Sequence, residues 1–251
     1  MPPDELATVV TGSGSRLVLA HGFTQNSAGW GPFGTILAGS HEVLALDLPG
    51  HGGSDAVRAD LPGTARLLGG AGGVADYLGY SLGGRVALHL ALDRPDLVRR
   101  LVLVGATAGI VDPGARAQRR EADEALALEL ETGGLEPFLD RWLAGPLFRS
   151  LPAGAAGLEG RRRNTAGGLA SSLRLCGTGS QDPLWDRLPE LAMPVLLLAG
   201  VLDLRFGETA RVMAPAIGPN ARFSLVPGAG HACQLERPAL TARLVEAFLA
   251  P

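Results

Sequence analysis

Ser81 stands between two glycines in Gly79-Tyr80-Ser81-Leu82-Gly83. This spacing is typical of a serine held on a sharp turn between a strand and a helix, where small flanking residues are needed. The helix is predicted, because residues 84–92 carry apolar side chains on a helical period and the run stops at Asp93-Arg94-Pro95. The strand is less clear, since residues 73–78 make a short and imperfect one. The pattern predicts a reactive serine rather than a glycine-rich turn with an incidental hydroxyl.

A serine hydroxyl is a poor nucleophile or base until an imidazole accepts its proton, and the imidazole needs a carboxylate to fix its tautomer. Asp203 follows the apolar run 194–199, at the end of a predicted strand, where open parallel sheets hold their ligands. Its alternative role is to cap the next helix. His231 lies after Asp203 in the glycine-containing loop 227–231, which gives the expected chain order Ser, Asp, His. The remaining histidines all precede Asp203: His21, His41, His51 and His89.

Backbone N–H groups beside the serine would stabilise negative charge that develops on a substrate. Leu82 supplies one such group, because it directly follows Ser81 at the start of the predicted helix. The second is expected from the loop after an early strand, where Phe23 in His21-Gly22-Phe23 is the candidate. We interpret His21 as a brace for that loop rather than as a reactive group.

These side chains need strands that end at one edge of a sheet. Apolar runs of strand length without polar alternation are typical of a parallel sheet covered on both faces. Such runs occupy residues 17–20, 43–46, 101–104 and 194–198, with a further run at 223–226. The fold class is therefore predicted as α/β: an α/β-hydrolase fold with a mostly parallel sheet flanked by helices.

Helices are expected to cover and cap this sheet. Residues 238–249 predict an amphipathic closing helix. Residues 110–185 contain helical runs and no strand-like run, which predicts a helical cap inserted into a single domain whose core is about 1–109 and 186–251. The glycine-rich segment between Ser54 and Gly79 is predicted to lack the clear helix that normally precedes the strand of such a turn.

Composition excludes several classes of partner. The formal charge is −3 and the pI about 6.0, without a basic run that would indicate nucleic acid or lipid headgroups. No apolar run approaches the roughly 20 residues that span a membrane. The opening MPPDELATVV and the use of only two cysteines favour a cytoplasmic protein. Scattered histidines and cysteines predict no metal site, and no nucleotide-binding glycine motif indicates a cofactor. A homo-oligomer is left open.

With these motifs in place, nearly the whole chain resembles the 2-succinyl-6-hydroxy-2,4-cyclohexadiene-1-carboxylate synthases, pyruvate-eliminating α/β-hydrolase-fold enzymes of menaquinone biosynthesis. The motifs shared with many hydrolases are His21-Gly22-Phe23 and the run 47–54. More discriminating are the serine motif continued to Arg85, the cap run 116–120 followed by Asp123, and the run 177–185. Agreement in the cap is informative because caps usually set substrate choice in this fold.

The resemblance implies a small polycarboxylate substrate. Arginine forks suit carboxylates better than lysine does, and Arg85 lies about one helical turn after Ser81. By resemblance, Arg119 and Arg161 match cap arginines that bind substrate carboxylates, and Tyr80 and Trp142 match aromatic pocket residues. The run Arg161-Arg162-Arg163 leaves the register open, so Arg163 is an alternative to Arg161.

The same resemblance implies that Ser81, activated by His231, removes a substrate proton and starts elimination of pyruvate. The main rival is a carboxylesterase or C–C bond hydrolase that uses the same three residues through an acyl-enzyme. A cofactor-free perhydrolase or haloperoxidase would have a tight apolar pocket, which the arginines argue against. A binding module without chemistry would be expected to lack a member of the catalytic set.

Overall fold

Seven strands form a single sheet in the order β1-β3-β2-β4-β5-β6-β7. The structure is a computed structural model that describes residues 5–250. Strand β1 pairs antiparallel with β3, and every other pairing is parallel. The strands are β1 (Thr8–Thr11), β2 (Ser15–Ala20), β3 (His41–Leu46), β4 (Ala75–Tyr80), β5 (Val98–Val104), β6 (Val195–Gly200) and β7 (Ala221–Val226).

Helices cover both faces of the sheet. They are α1 (Gly31–Leu37), α2 (Leu61–Gly72), α3 (Leu82–Asp93), α4 (Pro113–Gly133), α5 (Leu135–Ala144), α6 (Leu158–Arg161), α7 (Ala166–Cys176), α8 (Leu204–Ile217), α9 (Cys233–Glu236) and α10 (Pro238–Leu249). Apolar side chains of α2, α3 and α8 form one core layer, and those of α1, α9 and α10 form the other. Among the described residues, no helix is long and apolar enough to cross a membrane.

The predicted apolar runs coincide with β2, β3, β5, β6 and β7, and the α/β-hydrolase fold class is confirmed. Strand β1 was not predicted. All four of its residues are exposed, and its two valines are about half exposed, so the strand carries neither the buried run nor the alternation that sequence patterns detect.

The prediction that no clear helix precedes the serine turn is wrong, because α2 occupies residues 61–72. Asp60 caps its start by accepting the Gly63 N–H at 2.7 Å. A Cβ at Gly69 would lie 2.7 Å from a methyl carbon of Leu90, and one at Gly72 would lie 2.4 Å from the Tyr77 hydroxyl. The glycines that obscure the helical pattern therefore allow α2 to pack closely against α3 and β4.

Helices α4, α5 and α7 pack together above the carboxyl edge of the sheet. Their contact surface is apolar and includes Leu130, Phe138 and Leu173. Arg174 on α7 also pairs with Glu124 and Glu131 on α4. No strand occurs between residues 110 and 185, as the sequence predicts. The cap boundaries at about 110 and 185 stay a prediction.

Candidate active site

The turn between β4 and α3 presents Ser81 at the carboxyl edge of the sheet. Ser81 has a φ of 51°, and within residues 5–250 only one other non-glycine residue, Thr24, has a positive φ. A Cβ at Gly79 would lie 2.3 Å from the Gly83 carbonyl oxygen, and one at Gly83 would lie 2.0 Å from that of Ala20. Glycine is needed at both positions because the backbones approach too closely for any side chain.

Ser81, His231 and Asp203 form one hydrogen-bonded chain. His231 Nε2 lies 3.1 Å from Ser81 Oγ, and His231 Nδ1 lies 2.7 Å from Asp203 Oδ2. With Nδ1–H donating to the carboxylate, Nε2 is left to accept the serine proton. Both predicted roles of Asp203 occur together, since its Oδ1 also accepts the Phe206 N–H at 3.2 Å and caps α8.

The His231 ring is confined on several sides. It is 2% exposed, and its centroid lies 4.5 Å from that of Phe206 and 5.4 Å from that of Tyr80. A Cβ at Gly105 would lie 3.0 Å from a ring carbon of His231. These contacts leave the imidazole little freedom to turn away from Ser81.

His21 fixes the peptide group that carries the Phe23 N–H. Its Nδ1–H donates to the Gly22 carbonyl at 2.8 Å, and its Nε2 accepts the Leu48 N–H at 3.0 Å. Burial lowers the pKa of His21 to about 4, so the ring stays neutral and can make both bonds. Because Gly22 C=O and Phe23 N–H belong to one planar peptide group, holding the carbonyl also orients the N–H.

Phe23 and Leu82 flank Ser81 at the floor of a cavity. The Gly83 N–H donates to the His21 carbonyl at 3.0 Å and so ties the Phe23 loop to the serine turn. No hydrogen-bond acceptor for the Phe23 or Leu82 N–H is found in the described part of the chain. Two unpaired donors beside a serine are suited to stabilise an oxyanion or an enolate.

The cavity has a volume of about 490 Å³ and lies between the sheet edge and the cap. Arg85, Arg119 and Trp142 line it together with Ser81 and His231. A narrow crevice of about 20 Å³ opens beside the same serine and is lined by Tyr80, Arg161, Trp142 and Phe148 among others. The structure thus brings every predicted substrate-binding residue to one of two adjoining spaces.

Arg85 and Arg161 are buried cations with no carboxylate partner among residues 5–250. Arg85 has one long bond, 3.5 Å from Nη1 to Gln181 Oε1. Arg161 donates to the Ala156 carbonyl at 2.7 Å and to the Thr24 hydroxyl. Burial lowers the pKa of both guanidinium groups to about 10, so they keep their charge at neutral pH.

Arg119 and Arg163, the other two arginines considered for substrate binding, differ from Arg85 and Arg161. Arg119 is about one third exposed and already bound to Asp123, with 2.8 Å between Nε and Oδ1. Arg163 is exposed and lines neither space, so the structure places Arg161, and not Arg163, against the crevice.

Some lining residues were not predicted. Phe148 and Phe206 approach the His231 ring, and Arg205 lines the cavity with its guanidinium 5.7 Å from the Phe206 centroid. Arg205 follows Asp203 by two residues, so a search of the first turn after the predicted acid could have found it. Phe148 lies in an irregular cap segment that has no sequence signal. In the region that the structure describes, no group of three metal-ligating side chains occurs.

Comparison with known proteins agrees with this geometry. A sequence model of the alpha/beta hydrolase family matches residues 17–244. The 2-succinyl-6-hydroxy-2,4-cyclohexadiene-1-carboxylate synthase of Klebsiella pneumoniae is 33% identical, over 93% of each chain. A Bacillus subtilis protein assigned provisionally to the same synthase is 35% identical, over 93% of this chain and 89% of the relative. The chain belongs to this synthase family.

Solved structures support the synthase family at the level of the whole fold. MenH from S. aureus superposes with a TM-score of 0.89 at 30% identity, over 98% of this chain and 97% of the other. A thermophilic esterase from Thermogutta terrifontis superposes with a TM-score of 0.82 at 24% identity, over 97% and 92% of the two chains. The esterase shows that the fold of the synthase family is shared with hydrolases.

Proposed function

We propose that the protein eliminates pyruvate from 2-succinyl-5-enolpyruvyl-6-hydroxy-3-cyclohexene-1-carboxylate and forms 2-succinyl-6-hydroxy-2,4-cyclohexadiene-1-carboxylate, a carbon–oxygen lyase step of menaquinone biosynthesis. The observation that carries the proposal is the Ser81–His231–Asp203 chain beside two buried arginines without carboxylate partners. Family membership and the superposition with MenH support it.

The bond changes follow from the two chemical names. The ring double bond at C3 becomes a diene at C2 and C4, so a proton leaves C2 and the enolpyruvyl oxygen leaves C5. His231 takes the Ser81 proton, and the serine oxygen removes the proton from C2. The electron pair forms the C2–C3 double bond, the C3–C4 pair moves to C4–C5, and the C5–O bond breaks. The enolpyruvyl group departs and takes up a proton to become pyruvate.

Negative charge develops on the succinyl carbonyl oxygen while the C2 proton is removed. The N–H groups of Phe23 and Leu82 would bind that oxygen, because neither has an acceptor in the described structure. Asp203 would keep the proton on His231 Nδ1 and stabilise the imidazolium. No covalent bond to Ser81 is required.

Three carboxylates of the substrate need cationic partners. Arg85 and Arg161 offer guanidinium groups without a carboxylate partner among the described residues, Arg119 is held in place by Asp123, and Arg205 lines the cavity. Burial raises the pKa of Tyr80, so its phenol keeps its proton and can donate to a substrate oxygen. Trp142 lines both spaces, and its ring centroid lies 5.3 Å from that of Phe23. Its indole would therefore pack against the cyclohexene ring of the substrate.

The main alternative is an ester or C–C bond hydrolase with the same three residues, acting on a carboxylated molecule. It would attack a carbonyl carbon with Ser81 and pass through an acyl-enzyme. A perhydrolase or haloperoxidase would have a tight apolar pocket. The spaces beside Ser81 are instead lined by Arg85 and Arg161, which have no carboxylate partner among the described residues.

Assays of two substrates with the same purified protein distinguish a lyase from a hydrolase. Pyruvate release from freshly generated 2-succinyl-5-enolpyruvyl-6-hydroxy-3-cyclohexene-1-carboxylate should far exceed cleavage of p-nitrophenyl acetate. Intact-mass analysis of samples quenched during turnover should show no adduct on Ser81. Slow pyruvate release with rapid ester cleavage and an acyl adduct would favour the hydrolase.

A cytoplasmic location is also part of the proposal and is supported by the free thiols of Cys176 and Cys233, both buried. Whether the protein forms a homo-oligomer is a question that a sedimentation experiment answers.

A further inference from the structure

The carboxylate of Glu236 holds the loop that carries His231. Glu236 lies on the short helix α9 and is 6% exposed. Its Oε2 accepts the Gly230 N–H at 2.8 Å, and its Oε1 accepts the Ala232 N–H at 3.2 Å. Gly230 and Ala232 are the residues on either side of His231. One side chain therefore fixes the backbone before and after the imidazole.

The opposite side of this loop is held by the segment that leads to Asp203. A Cβ at Gly200 would lie 2.2 Å from the carbonyl oxygens of both Ala229 and Gly230. The Leu202 N–H donates to the Ala229 carbonyl at 2.8 Å. The His231 loop is thus fixed between the Asp203 segment on one side and Glu236 on the other, which sets the distance between acid and base.

The charge of Glu236 is not balanced by a basic side chain, since no ion pair to it is found in residues 5–250. Burying an unpaired carboxylate is unfavourable, and the two charge-assisted bonds from backbone N–H groups offset that cost.

We propose that Glu236 is a positioning residue, whose carboxylate holds His231 in line with Ser81 Oγ and Asp203 Oδ2 during proton transfer. The proposal rests on the proposed roles of Ser81, His231 and Asp203. It does not depend on whether the reaction is elimination or hydrolysis, because both need the same proton transfer.

The test compares Glu236→Gln with the control Glu246→Gln on α10. Within residues 5–250, the Glu246 carboxylate accepts only from the Ser40 hydroxyl, at 3.3 Å. In Glu236→Gln the amide NH₂ faces one backbone N–H, so one bond is lost and the charge is removed. We expect kcat to fall by about 10- to 100-fold with KM changed less than about threefold, as for a small misplacement of a catalytic group. Glu236→Asp keeps the charge and should recover part of the rate. Glu246→Gln should match the wild type.

Two readouts do not depend on turnover. In the wild type, the Gly230 and Ala232 amides should exchange slowly with solvent deuterium, because both donate to a buried carboxylate. The downfield proton resonance of the His231–Asp203 bond should shift or broaden in Glu236→Gln while that of Glu246→Gln is unchanged. Rapid exchange of both amides would overturn the proposal even if the variant fails to fold.

Failure of this proposal differs from failure of the proposed function. If Ser81→Ala abolishes activity while Glu236→Gln keeps kcat within twofold and leaves the proton resonance unchanged, Glu236 has no positioning role. If the protein has no Ser81-dependent activity on either substrate, the proposed function fails, and the amide exchange and the His231 resonance still decide whether Glu236 holds the loop.

Discussion

The carboxylate of Asp203 serves two partners at once: Oδ2 lies 2.7 Å from His231 Nδ1, and Oδ1 accepts the Phe206 N–H at the start of α8. Its structural and chemical roles can therefore be separated by substitution. Asparagine is as good a helix cap as aspartate, but its NH₂ group would face His231 Nδ1 and favour the wrong imidazole tautomer.

We predict that the unfolding temperature of Asp203→Asn lies within a few degrees of that of the wild type. Its kcat should fall by about 10³- to 10⁴-fold, the size of effect known for a wrong imidazole tautomer in serine proteases. Asp203→Ala should lose the same activity and also about 1 kcal/mol of stability through the missing cap. Thermal unfolding and steady-state rates measure the two effects. A fully active Asp203→Asn enzyme would contradict the assigned role.

Arg161 and Arg163 provide a matched pair for substrate binding, since the first lies in the crevice and the second is exposed. Loss of a charged hydrogen bond costs roughly 1.5–3 kcal/mol, so Arg161→Met should raise KM by about 10- to 100-fold. Arg163→Met should leave KM within about twofold. Equal effects of the two substitutions on KM would show that the crevice does not bind a carboxylate.

Gly83 is predicted to tolerate no side chain. A Cβ there would lie 2.0 Å from the backbone oxygen of Ala20, so Gly83→Ala should destabilise the fold by about 3 kcal/mol or more and displace the Phe23 loop. Gly70 on α2 is the control, because a Cβ there meets nothing within 4 Å. Gly70→Ala should stabilise by about 0.5–1 kcal/mol. Urea unfolding compares both variants, and a stable, active Gly83→Ala protein would contradict the geometry of the turn.

Burial of two histidines predicts the pH dependence of stability. It lowers the pKa of His21 from 6.5 to about 4 and that of His51 from 6.5 to about 3, so both stay neutral in the folded protein at pH 5. In the unfolded chain both take up a proton below about pH 6.5, so unfolding is favoured as the pH falls. The full stability is present above pH 6.5. At pH 5, each histidine should have lowered the free energy of unfolding by about 2 kcal/mol.

Urea unfolding at pH 7.5 and pH 5 measures this loss of stability. Proton NMR titration checks its origin, because the ring resonances of His21 and His51 should not move between pH 8 and pH 5. Resonances that titrate near pH 6.5 would show that the two rings are not buried as described.

Much of the site could be predicted because its residues stand next to strong local signals. Ser81, Asp203 and His231 each follow an apolar or glycine-containing segment, and the fold fixes their order along the chain. The distances that join them depend on parallel strand pairing between β4, β5, β6 and β7, which no local pattern states.

The predictions that failed concern segments whose shape is set by tertiary contacts. Helix α2 was not predicted because its glycines lower helix propensity, yet those glycines permit its close contact with Leu90 and Tyr77. Strand β1 is exposed along its whole length, so its sequence shows neither a buried apolar run nor an alternation of apolar and polar residues. The role of Glu236 was not predicted, because its contact with two backbone N–H groups is visible only in three dimensions.

The most direct test of the central claim is the rate of pyruvate release from 2-succinyl-5-enolpyruvyl-6-hydroxy-3-cyclohexene-1-carboxylate by the wild type and by Ser81→Ala. If Ser81 with His231 and Asp203 removes the C2 proton, the wild type should release pyruvate far above the uncatalysed rate, and Ser81→Ala should lose about 10³-fold or more. Pyruvate release that persists in Ser81→Ala, or that does not exceed the uncatalysed rate in the wild type, would contradict the proposed function.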